Sequence, residues 1–214
     1  MDLDDLEELA TKLHGKGSHW DLFQTAAGAG LVLYAAWAGS LALGIRKVFV
    51  QVPFVPSSAK QVSNMMSLLK GRSGKLVDLG SGDGRIVLEA YKQGFRPVVG
   101  YELNRLLWQL SHFRAWRAGC YGKVFFRRED FWKADLSDCS NLTVFLAPSV
   151  QVPLLERKLL SKLPDEACVV AARFPFTWTP SRDAGESLER AWAYNIKDVR
   201  QAKQDTAGGG PAKE

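Results

Sequence analysis

Short apolar runs separated by stretches of helical periodicity run through this chain from about residue 58 onward. Leu76 to Leu79, Pro97 to Leu103, Val124 to Arg128, Asn141 to Leu146, Ala167 to Arg173 and Ala191 to Ile196 each read as a strand. Helical spacing fills the gaps. Ser57 or Ser58 caps a helix reaching about Lys70, a second starts near Arg85, a third covers Asn104 to Ala118 and a fourth Pro153 to Leu163. In the third, Leu106, Leu107, Leu110 and Phe113 share a side expected to face the core, with Trp108 and Trp116 packed there or at its margin. Strands alternating with helices imply a parallel α/β sheet that binds its ligand at the carboxyl ends of the strands. After Lys197 the sequence turns polar and glycine-rich, the composition of a disordered tail.

The pattern ahead of this region is different. Leu22 to Ile45 holds 24 residues without a charge, enough to cross a hydrocarbon core as a helix. Asp21 precedes it and Arg46-Lys47 follows it. Ala35 and Gly39 have the spacing that lets membrane helices approach closely, and Trp20 suits an interface. A buried hairpin is the alternative; length and flanking charge favour insertion. The acidic start argues against both a secretory signal peptide and an Arg-rich presequence. The organisation read from the sequence is an acidic segment 1–19, a hydrophobic membrane anchor 20–46, an extended lead-in 47–57, an α/β domain 58–197 and the tail 198–214. In the lead-in, Pro53 and Pro56 hold their predecessors extended.

Composition narrows the chemistry. The 214 residues allow one domain with a sizeable core plus an accessory segment. The formal charge of +5 is uneven: Met1 to Ala10 is acidic, and Arg46 to Lys133 carries an excess of Lys and Arg. The nearest approach to a basic and aromatic platform is Phe125-Phe126-Arg127-Arg128, which reads as a buried strand with a charged end, so no nucleic acid is expected as a partner. Three cysteines without C-x-x-C spacing and three scattered histidines indicate neither a disulfide framework, a metal site nor a histidine-based triad.

The most informative stretch is Val77-Asp78-Leu79-Gly80-Ser81-Gly82-Asp83-Gly84-Arg85. A strand must turn sharply into a helix here, and Gly80, Gly82 and Gly84 supply the freedom and close approach that such a turn needs. Dinucleotide-binding turns use G-x-G-x-x-G, whereas here the third glycine comes one residue early and Arg85 stands where it should be. Asp78 and Asp83 would repel a pyrophosphate but can accept from the ammonium of a methionine moiety, which favours S-adenosylmethionine over NAD. About 20 residues on, Glu102 ends the second strand at the spacing of a ribose ligand. Asp130 beside Phe131 and Trp132 suits an adenine, the carboxylate accepting from the exocyclic amine and one of the rings lying on the base.

These segments, with Gly100-Tyr101-Glu102-Leu103-Asn104 and Phe145-Leu146-Ala147-Pro148-Ser149, resemble the seven-β-strand S-adenosylmethionine-dependent methyltransferases. Together with the anchor, Gln51-Val52-Pro53-Phe54-Val55 and Arg173-Phe174-Pro175, they are similar more narrowly to the membrane-anchored mitochondrial lysine methyltransferases. The likeness runs from about Trp20 to Tyr194. It implies a Rossmann-like seven-stranded sheet behind an N-terminal membrane-anchor helix, and methyl transfer to a lysine of a mitochondrial inner-membrane protein, the adenine nucleotide translocase foremost. It assigns the methionine end of the cofactor to Asp78 and the turn Gly80, Ser81, Gly82, Asp83 and Gly84. Glu102 with Asn104 takes the ribose, and Asp130, Phe131 and Trp132 take the adenine.

On the acceptor side the resemblance places Pro53 and Phe54 over the cofactor. Phe174, Phe176 and Trp178 wall a lysine channel, unless they are core aromatics. Many amine methyltransferases carry Asn or Asp followed by two prolines after the fourth strand. This chain has Ala147-Pro148-Ser149, so Pro148 and Ser149 are candidates only and the amine-orienting group stays open. Arg46-Lys47 favour a matrix-facing domain. Two rival readings are a membrane-anchored methyltransferase of a lipid or small molecule, and a catalytically silent S-adenosylmethionine-binding assembly factor.

Overall fold

The computed structural model describes residues 55–145 and 152–208. Its strands are β1 (Leu76–Leu79), β2 (Val98–Tyr101), β3 (Phe125–Arg127), β4 (Asn141–Val144), β5 (Cys168–Ala172), β6 (Arg182–Ala184) and β7 (Ala191–Asn195). They form one seven-stranded sheet in the order β3-β2-β1-β4-β5-β7-β6. β1 to β5 run parallel, and β7 enters antiparallel to both β5 and β6. No apolar run announces β6, an edge strand of three residues. β3 is also an edge strand rather than a buried one: only Phe126 is buried, and Phe125 and Arg127 face outward.

Alternation along the strands divides the core in two. On one face α1 (Ala59–Leu68), α2 (Arg85–Lys92) and α3 (Arg105–Arg117) contribute Val62, Met65, Ile86, Val87 and Ala115, packed on Leu76, Val98 and Val170. On the other, α4 (Val152–Lys162) and α5 (Ile196–Gly208) contribute Leu155, Leu159, Ile196 and Val199, packed on Val77, Leu142 and Val169. Ser58 caps α1 by accepting from the Gln61 amide at 3.0 Å. Asn64 and Gln61 then tie that helix to the Glu189 and Leu188 carbonyls ahead of β7.

Two expectations are corrected here. The sequence from 198 to 208 is helical, not disordered: Ile196 and Val199 are buried, and Arg200 donates to the Leu160 and Leu163 carbonyls. The intervening Lys, Gln, Arg and Ala are good helix formers, so polarity did not mean coil; residues 209–214 lie outside the described residues. In α3 the buried residues are Ser111 and Ala115, while Leu106, Leu110, Phe113 and Trp116 are exposed. A side chain added at Gly84 would come within 2.9 Å of the Ser111 Cβ and 2.8 Å of the Phe126 ring. The face of α3 turned to the core therefore has room for small residues, and the larger ones point away. Trp108 is half-buried and donates its indole N–H to the Phe126 carbonyl at 3.0 Å.

Among the described residues no helix is long and apolar enough to cross a membrane. The anchor at 20–46 lies outside them, as do Pro53, Phe54, Pro148 and Ser149.

Candidate functional site

The turn after β1 is pinned to the end of β2. Gly80 and Ser81 donate their amides to the Tyr101 carbonyl, both at 2.9 Å, and the Gly82 amide donates to Glu102 Oε2 at 2.8 Å. The Gly84 amide closes on the Ser81 carbonyl. These amides are spent inside the protein, so the turn does not present the cluster of free N–H groups with which a pyrophosphate loop holds its anion. Gly84 has a φ of 80° and is closely packed against Phe126 and Ser111. It fills the helix-packing role that the one-residue shift in spacing had left open. Gly100 is needed for a similar reason: a Cβ there would lie 2.6 Å from Ser81 Oγ.

Asp78 sits in β1 opposite Thr143 of β4. Thr143 donates its hydroxyl to Asp78 Oδ1 at 2.8 Å, whereas Asp78 Oδ2 and Ser81 Oγ are buried without a partner. Burial pushes the Asp78 carboxyl up to about 7; Thr143 opposes the rise, and the charges of Glu102 and Asp83 add to it. A cationic group at this point would supply what the protein does not, holding Asp78 ionised and satisfying its free oxygen. The residues present therefore fit the ammonium end of an amino-acid-bearing cofactor.

Glu102 follows β2 with one oxygen on Gly82 and the other accepting from the Asn104 amide at 2.7 Å. Each oxygen keeps a lone pair, so the fixed carboxylate could accept from a diol. Asn104 is itself the N-cap of α3, its side chain accepting from Leu106 and Leu107. After β3, Asp130 caps a short 3-10 turn over Phe131–Lys133 by accepting from the Trp132 amide at 3.0 Å. Phe131 and Trp132 have ring centroids 5.2 Å apart, and Lys158 of α4 grips the turn through the Trp132 and Ala134 carbonyls. Asp78, Glu102 and Asp130 thus mark the ends of three adjacent strands, in the order in which an extended nucleoside would cross them.

The chain is similar to known proteins over most of its length. Residues 78–182 match the model of the ANTKMT methyltransferase domain. The chain is 52% identical to mouse adenine nucleotide translocase lysine N-methyltransferase over 92% of its own length and 87% of that protein. It is 45% identical to the mouse lysine N-methyltransferase of the ATP synthase c-subunit over 86% of this chain and 74% of that one. The chain belongs to the ANTKMT methyltransferase family. It is an S-adenosylmethionine-dependent protein-lysine N-methyltransferase. Among solved structures, a Salinibacter ruber RNA methyltransferase in complex with S-adenosyl-L-homocysteine superposes with a TM-score of 0.62 at 32% identity. That match covers 66% of this chain and 94% of the other.

One of the turn's acids is already engaged by basic side chains. Asp83 is buried and doubly paired: Arg85 meets it at 2.6 Å and Arg114 of α3 at 2.5 Å. Burial alone would raise its carboxyl, but the hydrogen bonds and charge of Arg85, helped by Arg114, hold it below the usual range. Arg85 also donates to the Ser57 carbonyl, which ties the lead-in to the start of α2. Thr143, Arg114 and Ser111 were not legible as site residues, because each reaches the turn only through long-range pairing.

Of the two readings of the aromatics after β5, burial favours the core for two of the three. Phe176 and Trp178 are buried against Tyr194, with ring centroids 5.5 and 5.6 Å from it, and belong to the core. Glu156 of α4, itself buried, accepts from the Thr177 amide and hydroxyl and locks the segment in place. Only Phe174 remains half-exposed at the rim. Beside it Arg173 adopts a φ of 66°, and the Phe174 amide turns back onto the Ala172 carbonyl at 2.8 Å. A turn of this kind is strained for a residue with a side chain.

Proposed function

We propose that this enzyme methylates a lysine of a mitochondrial inner-membrane protein, with the adenine nucleotide translocase as the first candidate. The reading is carried by the row of Asp78, Glu102 and Asp130 at adjacent strand ends, joined to 52% identity with a relative named for that substrate. When bound, S-adenosylmethionine supplies a methyl group on a positively charged sulfur. Asp78 would hold its ammonium, Glu102 its ribose, and Asp130 with Phe131 or Trp132 its adenine.

The remaining work of the chain is to place a neutral ε-amine in line with that methyl group and to keep water away. Desolvation lowers a lysine pKa, so the pocket needs no dedicated base. Phe174 is the aromatic at the rim of β5 open to such a side chain, and Pro148 and Ser149 remain candidates for orienting it. The link from Arg85 to Ser57 supports a lead-in that passes near the cofactor turn, with Pro53 and Phe54 over the cofactor. The uncharged stretch within 20–46 is proposed as the anchor, and Arg46-Lys47 favour a matrix-facing domain.

The test is incubation of the purified full-length protein with tritiated S-adenosylmethionine and detergent-solubilised mitochondrial membranes, beside Asp78→Ala. Label in a protein of carrier size, absent with the variant and mapped to a lysine by mass spectrometry, is expected. Label confined to the lipid fraction would replace this reading with that of a lipid or small-molecule methyltransferase.

A further inference from the structure

We propose that the outward face of α3 docks on an anionic lipid surface. This helix turns small residues inward and large apolar ones outward: Ser111 and Ala115 are buried, while Leu106 is 57%, Phe113 54% and Trp116 66% exposed. Leu106, Leu110 and Phe113 follow one another at four and three residues and so form one stripe. Trp116 lies against Phe113 with ring centroids 5.9 Å apart. An exposed apolar stripe of this size calls for a partner. Its side chains project from a helix at the edge of the sheet, a shape that suits insertion into a headgroup layer better than reception of another helix.

Charge selects the kind of surface. From Arg105 to Arg128 the chain holds six Arg and Lys and no Asp or Glu. Arg105, Arg117, Lys123 and Arg128 are exposed and have no carboxylate within ion-pair distance among the described residues. Arg114 is engaged with Asp83, and Arg127 meets Glu129 at 3.7 Å. Tryptophan, phenylalanine and leucine flanked by unpaired arginines are what an interfacial helix presents to anionic lipid. The face also adjoins the site: Leu103, 69% exposed, stands between Glu102 and Asn104. Lipid held along α3 would lie beside the cofactor rim, within reach of a lysine close to the membrane. Nothing in this proposal depends on which lysine is methylated.

The test uses the full-length protein with an environment-sensitive dye at Phe113→Cys, or at Leu110→Cys as a second position. The native Cys120, Cys139 and Cys168 are buried and leave the probe site selective. Glu186→Cys, at the opposite edge of the sheet, is the control. Thermal stabilisation by S-adenosylmethionine reports that each labelled protein is folded. Vesicles of phosphatidylcholine containing phosphatidylglycerol should shift the α3 probe to the blue and expose it to spin-labelled lipid; pure phosphatidylcholine and the control position should show neither. Arg117→Gln and Arg128→Gln should each move the docked-to-undocked ratio by roughly five-fold. Absence of the shift on anionic vesicles overturns the proposal. So does a shift present without lipid that is lost on removing residues 1–19, which would make the acidic segment the occupant. A shift that grows with protein concentration alone overturns it in favour of self-association.

Discussion

Asp78 joins the central strand, the core and the cofactor site in one carboxyl group. Its folded value of about 7 lies above the ordinary carboxylate value of 3.8, so between those limits the folded state binds a proton more tightly than the unfolded one. Stability of the ligand-free protein should therefore fall as pH rises from about 4 to about 7 and level off above. Asp78→Asn should remove that decline in a pH series of thermal melts and abolish the stabilisation given by S-adenosylmethionine. An unchanged profile in the variant would assign the decline to another group. Gly84 offers a second point of attack. Alanine there takes on a left-handed backbone and a Cβ 2.8 Å from the Phe126 ring, at a cost of about 2–4 kcal/mol. Urea unfolding measures this loss, and an alanine variant of unchanged stability would show that the turn can relax.

At the scale of elements, what the sequence disclosed was periodicity, and what it withheld was orientation. The strands that carry Asp78 and Glu102 were readable because a run of apolar residues, a turn and a carboxylate follow one another locally. The stripe of Leu106, Leu110 and Phe113 was equally readable, but spacing alone does not say which way a stripe faces. That was decided by Gly84 and Phe126, which leave room beside them only for Ser111 and Ala115. Phe176 and Trp178 carried the converse ambiguity, because a pocket wall and a core are built from the same residues. Asp83 was legible as an acid in the turn, but its partner Arg114 lies 31 residues away. Short exposed β6 and polar α5 had too little hydrophobic contrast to be seen.

At the scale of the whole molecule, both halves of the core are drawn, among the described residues, from between Val62 and Val199. A chain beginning at residue 47 should therefore fold and keep its thermal response to S-adenosylmethionine. It should also lose labelling of an acceptor embedded in membranes by roughly 100-fold or more, the scale of a lost tether. A soluble lysine peptide from the same acceptor should be labelled as before. Equal labelling of the embedded acceptor by both forms would deny the stretch at 20–46 its proposed role.

The place of β7 in the sheet bears on how the protein is made. Among the described residues it is the last strand in sequence, yet it lies between β5 and β6, and β6 pairs there only with it. During synthesis the apolar edge of β5 must wait, unpaired, until Ala191 to Asn195 have emerged. Through that interval it is a template for wrong strands from other chains. A premature stop before Ala191 would thus remove the piece that closes the sheet, and its product would be a substrate for chaperones and proteases rather than a shortened enzyme.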